Sequence, residues 1–225
     1  MKQILKSSFF TCPAPIVAED LIGKYLVKKY RGKEIALIIT ETEAYDGPED
    51  KACHGRFGKT ERNAAMFGPA GIFYVYFVYG MYWMLNIVTG PENYPAAVLI
   101  RAVARNTDQH GPASPAKRGE REHRCTQIID GPGKLTKELK ITGGLTGKKA
   151  VPEAGLWFEE GSLRLNMNGP RTRTSNESEL RTGQASSVRG RQLSKVIKVP
   201  RIGVDYAGSV WSKKLYRFLL DKNID

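Results

Sequence analysis

Residues 72–88 constrain the fold of this chain more than any other stretch. Residues 72–79 read Ile-Phe-Tyr-Val-Tyr-Phe-Val-Tyr, an unbroken run of β-branched and aromatic side chains. Such residues suit a pleated, half-buried surface. Gly80-Met81 interrupts the run and residues 82–88 resume it, which predicts an antiparallel hairpin. Period two places Tyr74 and Tyr76 on one face and Phe73, Val75 and Phe77 on the other. One face then packs a core while the other presents phenol rings. Tyr79 falls at the turn, where an aromatic ring is poorly buried.

The remaining pattern arranges itself around that hairpin. Residues 11–30 predict a helix entered at Pro13 and Pro15, with Val17, Leu21, Ile22, Tyr25 and Leu26 at helical spacing. Residues 34–42 predict a strand running toward the turn Asp46-Gly47-Pro48, and alternation puts Glu41, Glu43 and Tyr45 on one face. The polar, glycine-rich stretch 46–71 is long enough to be functional or to hide a short helix, for which residues 61–67 are the candidate. A third strand spans 96–104 and carries Arg101. Residues 105–125 predict a basic surface loop with helical parts. Gly131-Pro132-Gly133-Lys134 precedes a short helix over 135–139, whose start offers backbone amides to a phosphate. Short strands are expected at 156–158, 163–166, 196–199 and 215–220, with Arg201-Ile202-Gly203-Val204 before the last. Residues 168–192 contain almost no large apolar side chain and predict a mobile loop or insertion. No repeat or linker divides the chain. The expectation is a single compact α/β (α+β) domain over residues 1–225, with a mixed, largely antiparallel curved sheet, surrounding helices and a protruding β-hairpin.

Charge narrows the choice of partner. The 35 Lys and Arg outnumber the 23 Asp and Glu, giving a formal charge of +12, which suits a polyanion, most often nucleic acid. Residues 161–225 hold 13 Lys and Arg against 5 Asp and Glu, and Arg56, Lys59 and Arg62 form a second basic cluster. Cys12, Cys53 and Cys125 are odd in number and far apart, so neither a disulfide framework nor a zinc knuckle is expected, and free thiols suit a reducing compartment. No His, Cys and Asp spacing argues for a metal. The first ten residues lack the apolar core of a signal peptide, and no segment approaches the length of a membrane span. A soluble intracellular protein without membrane association is expected.

Three groups of residues carry chemistry. Glu41 and Glu43 would repel each other on one strand face, so one pairs with a cation, for which Arg101 is the candidate. A glutamate held by an arginine stays ionised and is able to deprotonate a water as general base. Taken alone, the pair fits an exposed strand edge equally well. His54 is compatible with a hydrogen-bonding, core or exposed position. The rings Tyr74, Tyr76, Phe77, Tyr79, Tyr82 and Trp83 fit a core hairpin, a stacking platform worth about 1–3 kcal/mol per base, or a wedge that holds a duplex step open.

Together these segments resemble the alkyladenine (3-methyladenine) DNA glycosylase family, the monofunctional type of animals and many bacteria. The carrying residues are Glu41 to Asp50 (Glu-Thr-Glu-Ala-Tyr-Asp-Gly-Pro-Glu-Asp) with His54, Arg62-Asn63, Met66-Phe67, Tyr74-Val75-Tyr76, Tyr79-Gly80-Met81-Tyr82 and Asn86. Leu99-Ile100-Arg101-Ala102, Gly131 to Leu135 and Arg201-Ile202-Gly203-Val204 complete the match, which extends from about residue 8 to residue 220. The resemblance implies that Glu43 is the general base for a water held also by Arg101 and the Ile202 backbone carbonyl. Tyr45, His54 and Tyr76 would wall the pocket for a flipped purine, and Asn86 would disfavour the 2-amino group of guanine. Tyr79 would insert into the duplex. Arg56, Lys59, Arg62, Met81, Tyr82, Lys134 and Gly203 would contact DNA. The partner implied is double-stranded DNA containing damaged purines, engaged by a monomer without cofactor or metal. The compartment implied is cytoplasmic and nucleoid-associated in a bacterium, nuclear in a eukaryote.

Residues 41–45 and 74–86 contain no lysine, so hydrolysis to an abasic site is expected rather than Schiff-base chemistry and strand cleavage. Residues 168–192 and Asp205-Tyr206 depart from the family pattern. Two other readings remain open at this level: a non-catalytic nucleic-acid (tRNA-like) binding module of similar fold, and a glycosidase acting on soluble nucleosides or sugars through Glu41 and Glu43.

Overall fold

A computed structural model of the chain describes residues 3–105, 127–161 and 196–221. The strand expected at 163–166, the loop at 168–192 and all but the first residue of the loop at 105–125 lie outside the described residues. A 3-10 turn at Ser7–Thr11 leads into α1 (Ala14–Asp20). β1 (Tyr25–Tyr30) and β2 (Lys33–Asp46) follow. The helix expected over 11–30 therefore ends at Asp20, and its second half is strand. Gly23 takes φ +80 and turns the chain, donating its N–H to the Ile39 carbonyl at 2.8 Å. Residues 25–28 then pair with β2 on one side and with β7 (Leu156–Glu159) on the other. Leu26 and Val27 are both buried. Such two-sided pairing outweighs a helical spacing of apolar residues.

The expected hairpin is β3 (Phe73–Val78) and β4 (Tyr82–Val88), with Tyr74 opposite Asn86 and Tyr76 opposite Met84. Its turn is centred one residue earlier than the Gly80-Met81 break. Tyr79 and Gly80 take φ +53 and +67, and the Met81 N–H reaches the Val78 carbonyl at 3.2 Å. Two successive positive φ values match the right-handed twist of the flanking strands. β5 (Ala96–Arg105) was expected, whereas β6 (Gln127–Asp130) was not. α2 (Pro132–Glu138), β8 (Val196–Val199), α3 (Gly208–Ser212) and β9 (Arg217–Leu220) complete the order, and a 3-10 turn at Asp205–Ala207 precedes α3. The helix sought in residues 61–67 is a 3-10 turn at Ala64–Phe67.

Among the described residues nine strands form one sheet in the order β3-β4-β5-β2-β1-β7, with β6 added to β5 and the β8–β9 pair added to β2 through β9. Every pairing between these strands is antiparallel. The fold is thus the mixed α/β class with an antiparallel sheet that the pattern called for. β2 is its axis: β5 takes one edge, while β1 and β9 share the other. On one face, Phe10, Leu21, Leu26, Leu37, Ile39, Val98, Ile100 and Phe158 belong to the main apolar core. α1 lies on this face, and Thr42 Oγ1 donates to the Ala18 carbonyl at 2.7 Å. The other face holds a smaller cluster of Cys53, Met66, Ile72, Tyr74, Val88 and Ala97. No helix among the described residues is long and apolar enough to cross a membrane.

Gly47 closes the end of β2. It takes φ +82, and a Cβ there would sit 2.0 Å from the Tyr94 hydroxyl oxygen. Gly47→Ala combines a left-handed backbone with a steric overlap, so it is expected to lower stability by about 2–4 kcal/mol. Urea denaturation monitored by Trp fluorescence measures this.

Candidate active site

The strand pair β2–β5 aims the functional side chains. Before the middle of β2, odd-numbered Ile35, Leu37 and Ile39 face the main core. Pairing then slips twice: Ile39 is opposite Val103, Glu41 opposite Ala102 and Thr42 opposite Ile100. Thr40 and Arg101 are left without a residue opposite. Each such bulge reverses the facing of the residues beyond it. After the slip it is even-numbered Ala44 that faces the core, and Glu41, Glu43 and Tyr45 face away from it. On β5, Val98 and Ile100 face the core while Ala97, Leu99 and Arg101 line a pocket.

Glu43 is completely buried. Its Oε1 accepts the Ile202 N–H at 2.8 Å, and its Oε2 accepts the Tyr45 hydroxyl at 3.0 Å and Arg101 Nη1 at 3.3 Å. Burial pushes the Glu43 carboxyl above the usual glutamate range, while Arg101, the Ile202 amide and the Tyr45 hydroxyl work in the opposite direction. Burial, reinforced by the Glu43 charge, pushes the Tyr45 phenol far up, so it keeps the proton it donates. Glu41 has a different task. Its Oε1 accepts Arg101 Nε at 2.8 Å and Arg217 Nη1 at 3.0 Å. Two carboxylates and two guanidiniums thus balance, with Glu41 orienting the arginine that meets Glu43.

A second ion pair ties the site together across 151 residues of sequence. Arg201 meets Asp50 through both terminal guanidinium nitrogens, Nη1 to Oδ2 at 2.5 Å and Nη2 to Oδ1 at 2.9 Å, with both side chains fully buried. Arg201 Nη1 also donates to the Ala44 carbonyl at 2.9 Å, and its guanidinium carbon lies 4.9 Å from the Tyr45 ring centroid. Asp50 accepts the Ala52 N–H at 3.0 Å and the Asp46 N–H at 3.2 Å. The pair fastens the chain next to Ile202 onto the loop that follows β2. Neither Asp50 nor Arg201 was assigned a role from sequence, nor was Arg217.

Above Glu43 opens a cavity of about 360 Å³, within the size range of small-molecule sites. Tyr45, His54, Tyr76, Asn86, Arg101, Ile202 and Gly203 all line it, whereas Glu43 does not reach its surface and lies behind its partners Tyr45, Arg101 and Ile202. The His54 ring is accessible from the open side and lies edge-on to Tyr76, with centroids 4.6 Å apart. Its Nδ1 is 3.0 Å from the Tyr74 hydroxyl. Enclosure among these rings, with the Arg62 charge nearby, holds the imidazole below its ordinary pKa and hence neutral. Asn86 is buried, and its amide donates to the carbonyls of Tyr74 at 3.0 Å and Met84 at 3.2 Å, which fixes its orientation. Ile202 is joined to Glu43 by its N–H. Among the described residues its carbonyl accepts no hydrogen bond.

Of the residues expected on DNA, Arg62, Tyr79 and Gly203 line the cavity. Tyr79 is 83 % exposed at the hairpin tip, beside exposed Met81 and Tyr82. The Tyr82 ring lies against Gly133 of α2, where a Cβ would fall 2.7 Å from it, so the tip and the helix that carries exposed Lys134 are in contact. Arg62 donates to the Phe77 carbonyl at 3.0 Å and reaches the pocket. Lys59 is exposed, Arg56 is half-buried, and Gly203 takes φ +72 at the rim. Among the described residues no group of three or more His, Cys, Asp or Glu side chains converges as metal ligands would.

The methylpurine-DNA glycosylase family model matches residues 8–224. Among relatives, a protein of Methanocella arvoryzae assigned as a 3-methyladenine DNA glycosylase is 38% identical over 205 residues, 91% of this chain and 86% of that relative. Proteins with the same assignment from Anaeromyxobacter and Natranaerobius thermophilus are 34% and 33% identical. They align over 97% of this chain and over 90% and 96% of their own lengths.

Because Arg201 and Asp50 are buried without solvent, removing one charge strands the other. Asp50→Asn is expected to lower stability by about 3–5 kcal/mol, read from the midpoint of urea denaturation.

Proposed function

The chain belongs to the methylpurine-DNA glycosylase family, and from that premise we propose that it flips damaged purines out of duplex DNA and hydrolyses their N-glycosidic bond, leaving an abasic site without a nick. As a member of that family it is a DNA-repair hydrolase acting on alkylated bases. The proposed substrates are alkylated or deaminated purines of the 3-methyladenine, 7-methylguanine, hypoxanthine and ethenoadenine class. One observation carries the reading: a buried carboxylate, Glu43, paired with Arg101 beneath an aromatic cavity of about 360 Å³.

A glycosidic bond inside a base stack is out of reach, so the nucleotide must leave the helix, at a cost that is lower for a damaged or mispaired base. Tyr79 occupies the gap as a wedge. Met81, Tyr82 and Lys134 hold the duplex on one side, and Arg56, Lys59, Arg62 and Gly203 hold it on the other. The flipped base enters between Tyr45 and the His54–Tyr76 edge. Purines alkylated at N3 or N7 are cationic, and electron-rich tyrosine faces favour a cation over a neutral base. Neutral His54 adds no competing positive charge. The fixed amide of Asn86 crowds a 2-amino group and so disfavours normal guanine.

Water then adds to C1′ as the bond from C1′ to the base nitrogen breaks. The departing base takes the bonding electrons, and Glu43 takes the proton from the water. The sugar passes through an oxocarbenium-like state that the Glu43 carboxylate stabilises electrostatically. Arg101 and the Ile202 carbonyl orient the water. Among the described residues no lysine lines the cavity, in keeping with hydrolysis rather than a Schiff base. The protein is proposed to act as a monomer.

Glu43→Gln is expected to retain affinity for lesion-containing duplex while base release falls by about 10²–10⁴-fold. Free base released from single-lesion duplexes in single turnover measures it, and full excision by this variant would overturn the mechanism. Tyr79→Ser is expected to slow excision of well-paired lesions by about tenfold, with a smaller effect on mispaired ones. Equal rates for the two classes would remove the wedge role.

A further inference from the structure

Two exposed rings near the pocket have no part in this chemistry. Phe57 is 84 % exposed, more than any other large apolar side chain among the described residues, and Tyr206 is 62 % exposed. Arg56 joins them. Its guanidinium carbon lies 4.3 Å from the Phe57 ring centroid and 5.7 Å from that of Tyr206. Arg56 Nη1 donates to the Lys51 carbonyl, and the Tyr206 hydroxyl donates to the Ala52 carbonyl at 3.2 Å. The result is a ring, guanidinium and ring in sequence, anchored to the backbone at two points.

The loop that presents Phe57 is firmly tied. Buried Asn63 donates to the carbonyls of His54 and Gly58, each at 3.0 Å, and accepts the Thr60 N–H at 2.6 Å. Gly58 takes φ +92, a conformation that glycine adopts without penalty. Phe57 therefore projects from a fixed loop even though its ring gains nothing from water. A lone exposed apolar residue is ordinary on protein surfaces. This one is stacked on a cation, with exposed Lys51 and Lys59 in the same loop. A partner for it must combine a flat apolar face with negative charge, as a nucleobase on its phosphate backbone does.

We propose that Phe57, Arg56 and Tyr206 form a stacking ledge for a nucleobase that has lost its neighbour beside the flipped nucleotide, with Lys51 and Lys59 on the adjoining phosphates. Tyr206 lines the pocket mouth, so the ledge begins where the damaged nucleotide leaves the helix. In duplex DNA a base face is open to a ring only where the stack has been broken. The assignment rests on the pocket being a base-excision site.

The test compares the wild-type chain with Phe57→Leu and Phe57→Trp, since an exposed side chain is replaceable without loss of the fold. Affinity for a duplex carrying one hypoxanthine is read by fluorescence anisotropy. 2-Aminopurine is placed beside and opposite the lesion in turn. Phe57→Leu is expected to bind about tenfold more weakly, within the range of base–aromatic stacking, and Phe57→Trp to bind as wild type. The 2-aminopurine quenching at one position is expected to be lost in Phe57→Leu and kept in Phe57→Trp. The salt dependence of binding stays unchanged, because no ionic contact is removed. Equal affinity of wild type and Phe57→Leu overturns the ledge. So does a wild-type dimer at micromolar concentration that Phe57→Leu disperses without a change in DNA affinity, which assigns the ring to a protein contact. A wild-type chain that binds the duplex but releases no base from any alkylated DNA contradicts the excision reading. The affinity comparison decides the ledge separately.

Discussion

At Thr40 of β2 and Arg101 of β5, each strand carries one residue with nothing opposite it. The two slips compensate, so pairing resumes in register, yet on each strand the facing of the residues beyond the slip is reversed. Without the slip, Glu41, Glu43 and Tyr45 would continue the row of Ile35, Leu37 and Ile39 into the apolar core. Isolated carboxylates there would cost several kcal/mol each or lose their charge. With it, one long strand serves the core along its first half and the cavity along its second. Arg101 is itself the residue displaced from pairing, and its side chain spans the two glutamates.

Charge around Glu43 is dense and paired. Glu41 and Glu43 face Arg101 and Arg217, and Asp50 faces Arg201. The excess of +12 therefore belongs to the rest of the chain, where it suits long-range attraction to phosphates, and it does not reach Glu43 as a field of free cations. Burial disfavours the ionised form of Glu43, and three directed donors favour it. Burial outweighs the donors, so the carboxyl sits above the usual glutamate range. Asp50 and Arg201 keep the Ile202 amide in place as one of these donors, which links a structural ion pair to the protonation of the proposed catalytic group.

Some of this was legible in the sequence and some was not, for physical reasons. The β3–β4 hairpin shows because alternation is written directly in its side chains: Phe73 and Val75 inward, Tyr74 and Tyr76 toward the cavity. The shared face of Glu41, Glu43 and Tyr45 shows for the same reason. Tyr25 and Leu26 were misread because they fit both helical spacing from Val17 and strand alternation, and only pairing with β2 and β7 decides between them. The slips at Thr40 and Arg101 carry no local mark, since neither residue is a glycine or proline. Asp50 and Arg201 are ordinary charged residues in the sequence, and folding alone makes them partners. β6 holds only two apolar residues, Ile128 and Ile129, too few to declare a strand without β5 beside it.

The most direct test of Glu43 as a base held ionised by Arg101 is the pH dependence of single-turnover base release, measured for the wild type and for Arg101→Met. Glu43 acts only when ionised, so the rate should fall on the acid side, with an apparent pKa above the ordinary glutamate value of about 4.3. Removing the guanidinium favours the protonated carboxyl, so in Arg101→Met this acid limb should move to higher pH. A rate that stays flat through the acid range, or an acid limb at the same pH in both proteins, would contradict the assignment.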